Sequence, residues 1–86
     1  MRISFTKKAL KAYESLPLSI KKKADKQFIF LVSDIRHPSL RIKKMQGYVD
    51  IWECRIDYHY RFTIIIEEQE ITVRTIGPHD QGLGKK

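Results

Sequence analysis

The chain has 86 residues, with 17 Lys and Arg against 10 Asp and Glu, for a net charge of +7 with histidine neutral. At 42% hydrophobic and 31% charged it is too apolar for a disordered tail, and its apolar stretches are short, the one at 62–66 being broken by Thr63, which excludes a membrane span. A chain of this length accommodates one domain, 1–86, whose folding buries about 60% of the unfolded surface, so a deep cleft between domains is excluded and any site lies at the surface.

The lone cysteine, Cys54, excludes an internal disulfide framework and a cysteine-based zinc site. The first residues lack the apolar segment of a secretion signal, so the expected compartment is the cytoplasm. The positive excess favours a polyanionic partner, nucleic acid first.

In chain order, residues 2–5 alternate Arg2 and Ser4 with Ile3 and Phe5 and read as a first strand. Thr6 reads as a helix N-cap, with Phe5 and Leu10 spaced as a hydrophobic staple, and a short helix covers about 7–15 up to Pro17. Ile20, Ala24, Phe28, Leu31 and Ile35 recur at helical spacing, giving a second helix over 18–34 that ends before His37-Pro38. Lys21, Lys22, Lys23 and Lys26 fall off that stripe, as a solvated face would. The rest reads as strands: a basic one at 40–45, with Leu40 and Ile42 inward and Arg41 and Lys43 outward, then 51–57, 60–67 and 71–76, with Gly77-Pro78 ending the last. Residues 82–86 read as a frayed tail. The expected fold is α+β: an N-terminal strand, a two-helix antiparallel hairpin, then a meander of antiparallel strands in one twisted sheet with the helices on one face.

Period-two alternation then sorts the side chains. Trp52, Cys54 and Ile56 share one face, as do Tyr60, Phe62, Ile64 and Ile66, and Ile71, Val73 and Thr75. These sets are expected to face the helices. The other face gathers Glu53, Arg55, Arg61, Thr63 and Arg74. A three-residue turn centred on Tyr58 puts Arg55 opposite Arg61 and Glu53 opposite Thr63. Directly opposed arginines repel unless an anion lies between them. A carboxylate, two guanidinium groups and the imidazole of His79, just past the last strand, make a candidate acid–base site around a phosphate. Glu53, Arg55, Arg61 and His79 are the candidate catalytic residues. Lys43, Lys44, Arg74, Tyr58 and Tyr60 are the candidate substrate-binding residues, the tyrosines as bases' stacking partners or as structural side chains. Cys54 is expected buried and inert. The three histidines show no metal-ligand spacing, and there is no glycine-rich phosphate loop, so neither a metal nor a cofactor is expected.

Trp52-Glu53-Cys54-Arg55-Ile56, then Tyr60-Arg61-Phe62, then Ile76-Gly77-Pro78-His79-Asp80, resemble the RelE/ParE toxin superfamily of bacterial toxin–antitoxin systems. Ala9, Leu16-Pro17, His37-Pro38-Ser39-Leu40, Lys43-Lys44-Met45 and Gly47 extend the resemblance to nearly the whole chain. It implies a metal-independent endoribonuclease that cuts messenger RNA in the ribosomal A site, by attack of the 2′-hydroxyl on the adjacent phosphorus. By the same resemblance Arg61 contacts the scissile phosphate, Arg55 sits at a position often basic, His79 protonates the leaving oxygen and Glu53 lies near the general base. A cognate antitoxin is the implied protein partner. Two departures stand out: no tyrosine follows Tyr60, where several ribonuclease members carry one, and Glu53 with Arg55 replaces a lysine pair. Two alternatives therefore stand beside the nuclease: the ParE branch, which shares the fold but poisons DNA gyrase, and a homologue that binds RNA or antitoxin without cutting.

Overall fold

Arg2–Phe5 form strand β1, and the chain leaves it through Thr6, whose extended backbone lets its Oγ1 accept from the Ala9 amide at 3.0 Å and start helix α1 (Lys7–Glu14). The structure, a computed structural model, describes residues 1–78; His79 and the predicted tail at 82–86 lie outside them. The Thr6 hydroxyl also donates to the Arg74 carbonyl at 3.0 Å, which ties the helix start to the last strand. Pro17, with no amide hydrogen to satisfy, precedes helix α2 (Leu18–Ser33). The two helices are linked where the Tyr13 hydroxyl donates to Asp25 Oδ1 at 2.7 Å. Among the described residues no helix is long and apolar enough to cross a membrane.

The expected strand at 40–45 is mostly something else. Pro38–Leu40 form a single 3-10 turn, capped by the His37 ring nitrogen accepting from the Ser39 amide at 3.2 Å. Arg41 follows at φ 45° and ψ 46°, a left-handed conformation that interrupts any extended run, so strand β2 is only Lys43–Lys44. The inward position of Leu40 survives, because the 3-10 turn also buries it. Strand β3 is Ile51–Arg55, β4 is Tyr60–Ile66 and β5 is Glu70–Pro78, longer than expected at its far end because Gly77 and Pro78 stay paired with Arg61 and Tyr60. The sheet order is β1-β5-β4-β3-β2. The meander is antiparallel throughout, and β1 adds to its β5 edge in parallel, which makes the sheet mixed.

A β-bulge corrects the expected facing of β5. Ile64 pairs with Val73 but Thr63 pairs with Thr75, so Arg74 is the extra residue. Alternation slips by one there: Ile71 and Val73 face the helices, but so does Ile76, while Thr75 moves to the opposite face and its hydroxyl meets that of Thr63. The core lies between helices and sheet, where the Phe28 ring meets Phe5 and Phe62 edge-on, centroids 5.1 Å apart in each pair. Leu31, Leu40, Cys54, Ile64, Ile71 and Val73 complete its centre.

Candidate active site

The hairpin between β3 and β4 is set by Asp57. Its Oδ1 accepts from the amides of His59 and Tyr60, both at 2.9 Å, and its Oδ2 stands 3.5 Å from Lys23 Nζ on α2. Burial alone would raise this carboxyl, but those two amides and the lysine outweigh it and hold its pKa below the ordinary aspartate value. The turn so formed gives the three-residue loop that parity requires, and Arg55 lies directly opposite Arg61, with Glu53 opposite Thr63 and Lys43 opposite Glu53.

These side chains rim a pocket of about 300 Å³ on the face away from the helices, lined by Arg41, Lys43, Glu53, Cys54, Arg55 and Arg61. That size sits at the small end of ligand sites. Glu53 is 7% exposed, and Lys43 Nζ is 3.9 Å from its Oε1. Arg61 is 8% exposed and turns one nitrogen back on the hairpin: Nη1 donates to the carbonyls of Asp57 at 2.6 Å, Tyr58 at 2.8 Å and Tyr60 at 3.2 Å. Arg61 is thus a brace for the turn as well as a wall of the pocket. Arg55 Nε is buried and has no hydrogen-bond partner among the described residues. A buried guanidinium donor left unmet is costly, and a phosphate oxygen is the acceptor its fork fits. Cys54 forms part of the lining but belongs to the core. Burial, then the neighbouring Glu53 charge, push its thiol up to about 12, so it carries no thiolate near neutral pH.

Of the residues picked from sequence, Glu53, Arg55, Arg61 and Lys43 are brought together. Arg74 lies on the same face, one strand further on, with Nη1 3.3 Å from Thr63 Oγ1. Lys44, being paired with Trp52, alternates to the opposite face, and Tyr60 packs against the core on the helix side. Tyr58 sits at the exposed hairpin tip, its ring edge-on to His59 and outside the pocket wall. His79 lies outside the described residues. Arg41 also lines the pocket, although it is not among the candidates named from the sequence. Its signal was its shared outward side with Lys43.

Gln27 carries no motif, yet its buried amide fixes the geometry: Nε2 donates to the Ser39 carbonyl at 3.0 Å and to the Arg55 carbonyl at 2.9 Å. Among the described residues no group of three or more His, Cys, Asp or Glu side chains is placed to hold a metal ion.

No protein-family model matches the chain, and no curated protein sequence matches it. Solved structures do. A chain of the archaeal RelE–RelB complex from Pyrococcus horikoshii superimposes with a TM-score of 0.71 at 19% identity, covering 94% of this chain and 97% of that one. The YoeB/ParE toxin from Agrobacterium tumefaciens gives 0.79 at 15% identity, covering 92% and 99%. A chain of the intact E. coli RelBE toxin–antitoxin complex gives 0.74 at 17% identity, covering 93% and 98%. The fold is that of the RelE-like toxins. The RelE-like sheet therefore presents, in this chain, a pocket of four cationic side chains around one carboxylate.

Proposed function

We propose that this chain is the toxin of a toxin–antitoxin pair and cuts messenger RNA on the ribosome as a metal-independent endoribonuclease. The observation that carries the reading is the registered pair Arg55 and Arg61 beside the buried Glu53, in a pocket sized for a nucleotide phosphate. In this reaction Glu53 accepts the proton of the RNA 2′-hydroxyl, whose oxygen bonds to the adjacent phosphorus. The phosphorus–5′-oxygen bond breaks with its electron pair on the 5′-oxygen, leaving a 2′,3′-cyclic phosphate. Arg55 and Arg61 stabilise the extra negative charge on the phosphoryl oxygens in the transition state. The departing 5′-oxygen takes a proton from His79, the group the resemblance assigns to that step. DNA, lacking the 2′-hydroxyl, is not a substrate. The RelE-like fold, shared with chains of RelE–RelB complexes, supports a cognate antitoxin as the partner that holds the activity in check.

Arg55→Ala is the cleaner test, because Arg61 also braces the hairpin. Expression of the wild-type chain should create new 5′ ends in translated message, mapped by primer extension. Arg55→Ala should reduce them at least 100-fold, as removal of one charge-stabilising donor does elsewhere, with the thermal unfolding midpoint little changed. Undiminished cleavage by that variant refutes the site. Inhibition of DNA supercoiling without new RNA ends would instead identify a gyrase-directed protein.

A further inference from the structure

We propose that Arg41, with Lys43, forms a subsite for a second RNA phosphate next to the scissile one; this rests on the reading of the pocket just given. Three observations converge on it. The first is charge. Arg41, Lys43, Arg55 and Arg61 line the pocket against the single carboxylate of Glu53. Four positive charges, less one for Glu53 and one for a phosphodiester, leave two in excess, of which a second phosphodiester offsets one. The second is backbone conformation. Arg41 holds φ 45° and ψ 46°, a left-handed position that glycine or asparagine fills at lower cost, and the one positive φ among the described non-glycine residues. A long cation kept there in spite of the steric penalty marks a place where the side chain serves a purpose.

The third is the way Arg41 is mounted. The 3-10 turn that delivers it is held at Ser39 by the buried Gln27 amide, and the same amide nitrogen holds the Arg55 carbonyl. One side chain thus sets the spacing between the two arginines. The Gln27 oxygen accepts from the Ser39 hydroxyl at 3.3 Å, and the His37 ring, stacked on Phe30 with centroids 3.7 Å apart, caps the turn from the other side. Among the described residues neither Arg41 nor Arg55 is in an ion pair with a carboxylate. Arg55 and Arg61 oppose each other across β3 and β4, and on the other side of β3 Lys43 faces Glu53 while Arg41, two residues earlier, lies toward Arg55. A single phosphate between the first pair leaves the second pair for its neighbour along the strand.

The test uses 2′-O-methyl diuridine probes, which cannot be cleaved. One carries the internal phosphodiester only; two others add a terminal phosphate at the 5′ or the 3′ end. Binding is read by NMR titration at low salt. The wild-type chain should bind one of the two-phosphate probes about tenfold more tightly than the one-phosphate probe. Arg41→Ala should erase that gain, so that the variant binds the one-phosphate and two-phosphate probes alike. Its side chain is exposed, so the variant's unfolding midpoint should match the wild type. If Arg41→Ala keeps the full gain, or if neither terminal phosphate adds affinity to the wild type, the second subsite is overturned while the one-phosphate pocket stands. If no probe binds the wild type at all, the pocket reading itself falls and takes the subsite with it.

Discussion

Asp57 shows how much one side chain can decide. It caps the hairpin turn by accepting two backbone amides, and that turn joins the strands on which Arg55 and Arg61 lie opposite each other. Asp57→Ala should destabilise the chain by about 1.5–3 kcal/mol at pH 7, since the lost bonds are to a charged acceptor. The pH dependence has a defined sign. The folded carboxyl titrates below its ordinary value of 3.8, so its contribution is complete above that pH and fades as the pH falls through the folded value. The wild-type advantage over Asp57→Ala in urea unfolding should therefore hold from pH 7 down to about 4.5 and shrink by pH 2.5. An advantage that grew on acidification would contradict this assignment. Arg61 belongs beside Asp57 here. Its nature as a paired cation was legible in the sequence, but its bonds to the turn carbonyls were not, because they depend on a rotamer chosen against neighbouring backbone.

Among the elements, the helices followed their sequence signals closely. Thr6 caps α1 as its hydroxyl allows, and the α2 stripe buries the residues spaced three and four apart. The strands diverged from expectation at two places, each a local break in period. At 40–45 the expected alternation meets a 3-10 turn and a left-handed arginine; at β5 it meets a bulge. Neither break leaves a mark on an apolar/polar pattern, since Leu40 and Val73 are buried either way. The bulge makes a specific prediction. Deleting Arg74 leaves a regular ladder in which Val73 faces the helices, Thr75 the opposite side and Ile76 the helices again. That variant should fold with a loss below about 2 kcal/mol. Deleting Thr72 instead puts Val73 out of phase with Ile71 and should cost more than about 4 kcal/mol. Thermal unfolding followed by circular dichroism separates the two cases.

For the molecule as a whole, the +7 charge is concentrated usefully in only one of its two settings. The lysines at 21, 22, 23 and 26 lie on α2, outside the pocket wall, whereas Arg41, Lys43, Arg55 and Arg61 converge on the other side of the sheet. RNA binding should weaken steeply with salt, log K falling by about 0.7 per log unit of salt for each phosphate neutralised on a single strand. Arg55→Ala should reduce that slope by about 0.7, whereas a substitution of Lys22 by Ala should leave it within about 0.2, as measured by fluorescence titration from 50 to 200 mM salt. Equal effects from the two would mean that the charge acts as a diffuse surface.

The amino-acid sequence by itself determined the two helices, the apolar sets of the strands, the odd-numbered hairpin loop and hence the opposition of Arg55 and Arg61. Each of these follows from local periodicity or from parity, which a chain carries within a few neighbouring residues. Only the tertiary structure decided that β1 joins β5 in parallel, that the bulge at Arg74 turns Thr75 away from the core, and that the Gln27 amide holds Arg41 near Arg55. These last depend on contacts between segments far apart in the chain, where the choice among alternatives is made by pairing polar groups as they are buried, a condition imposed by the packed whole.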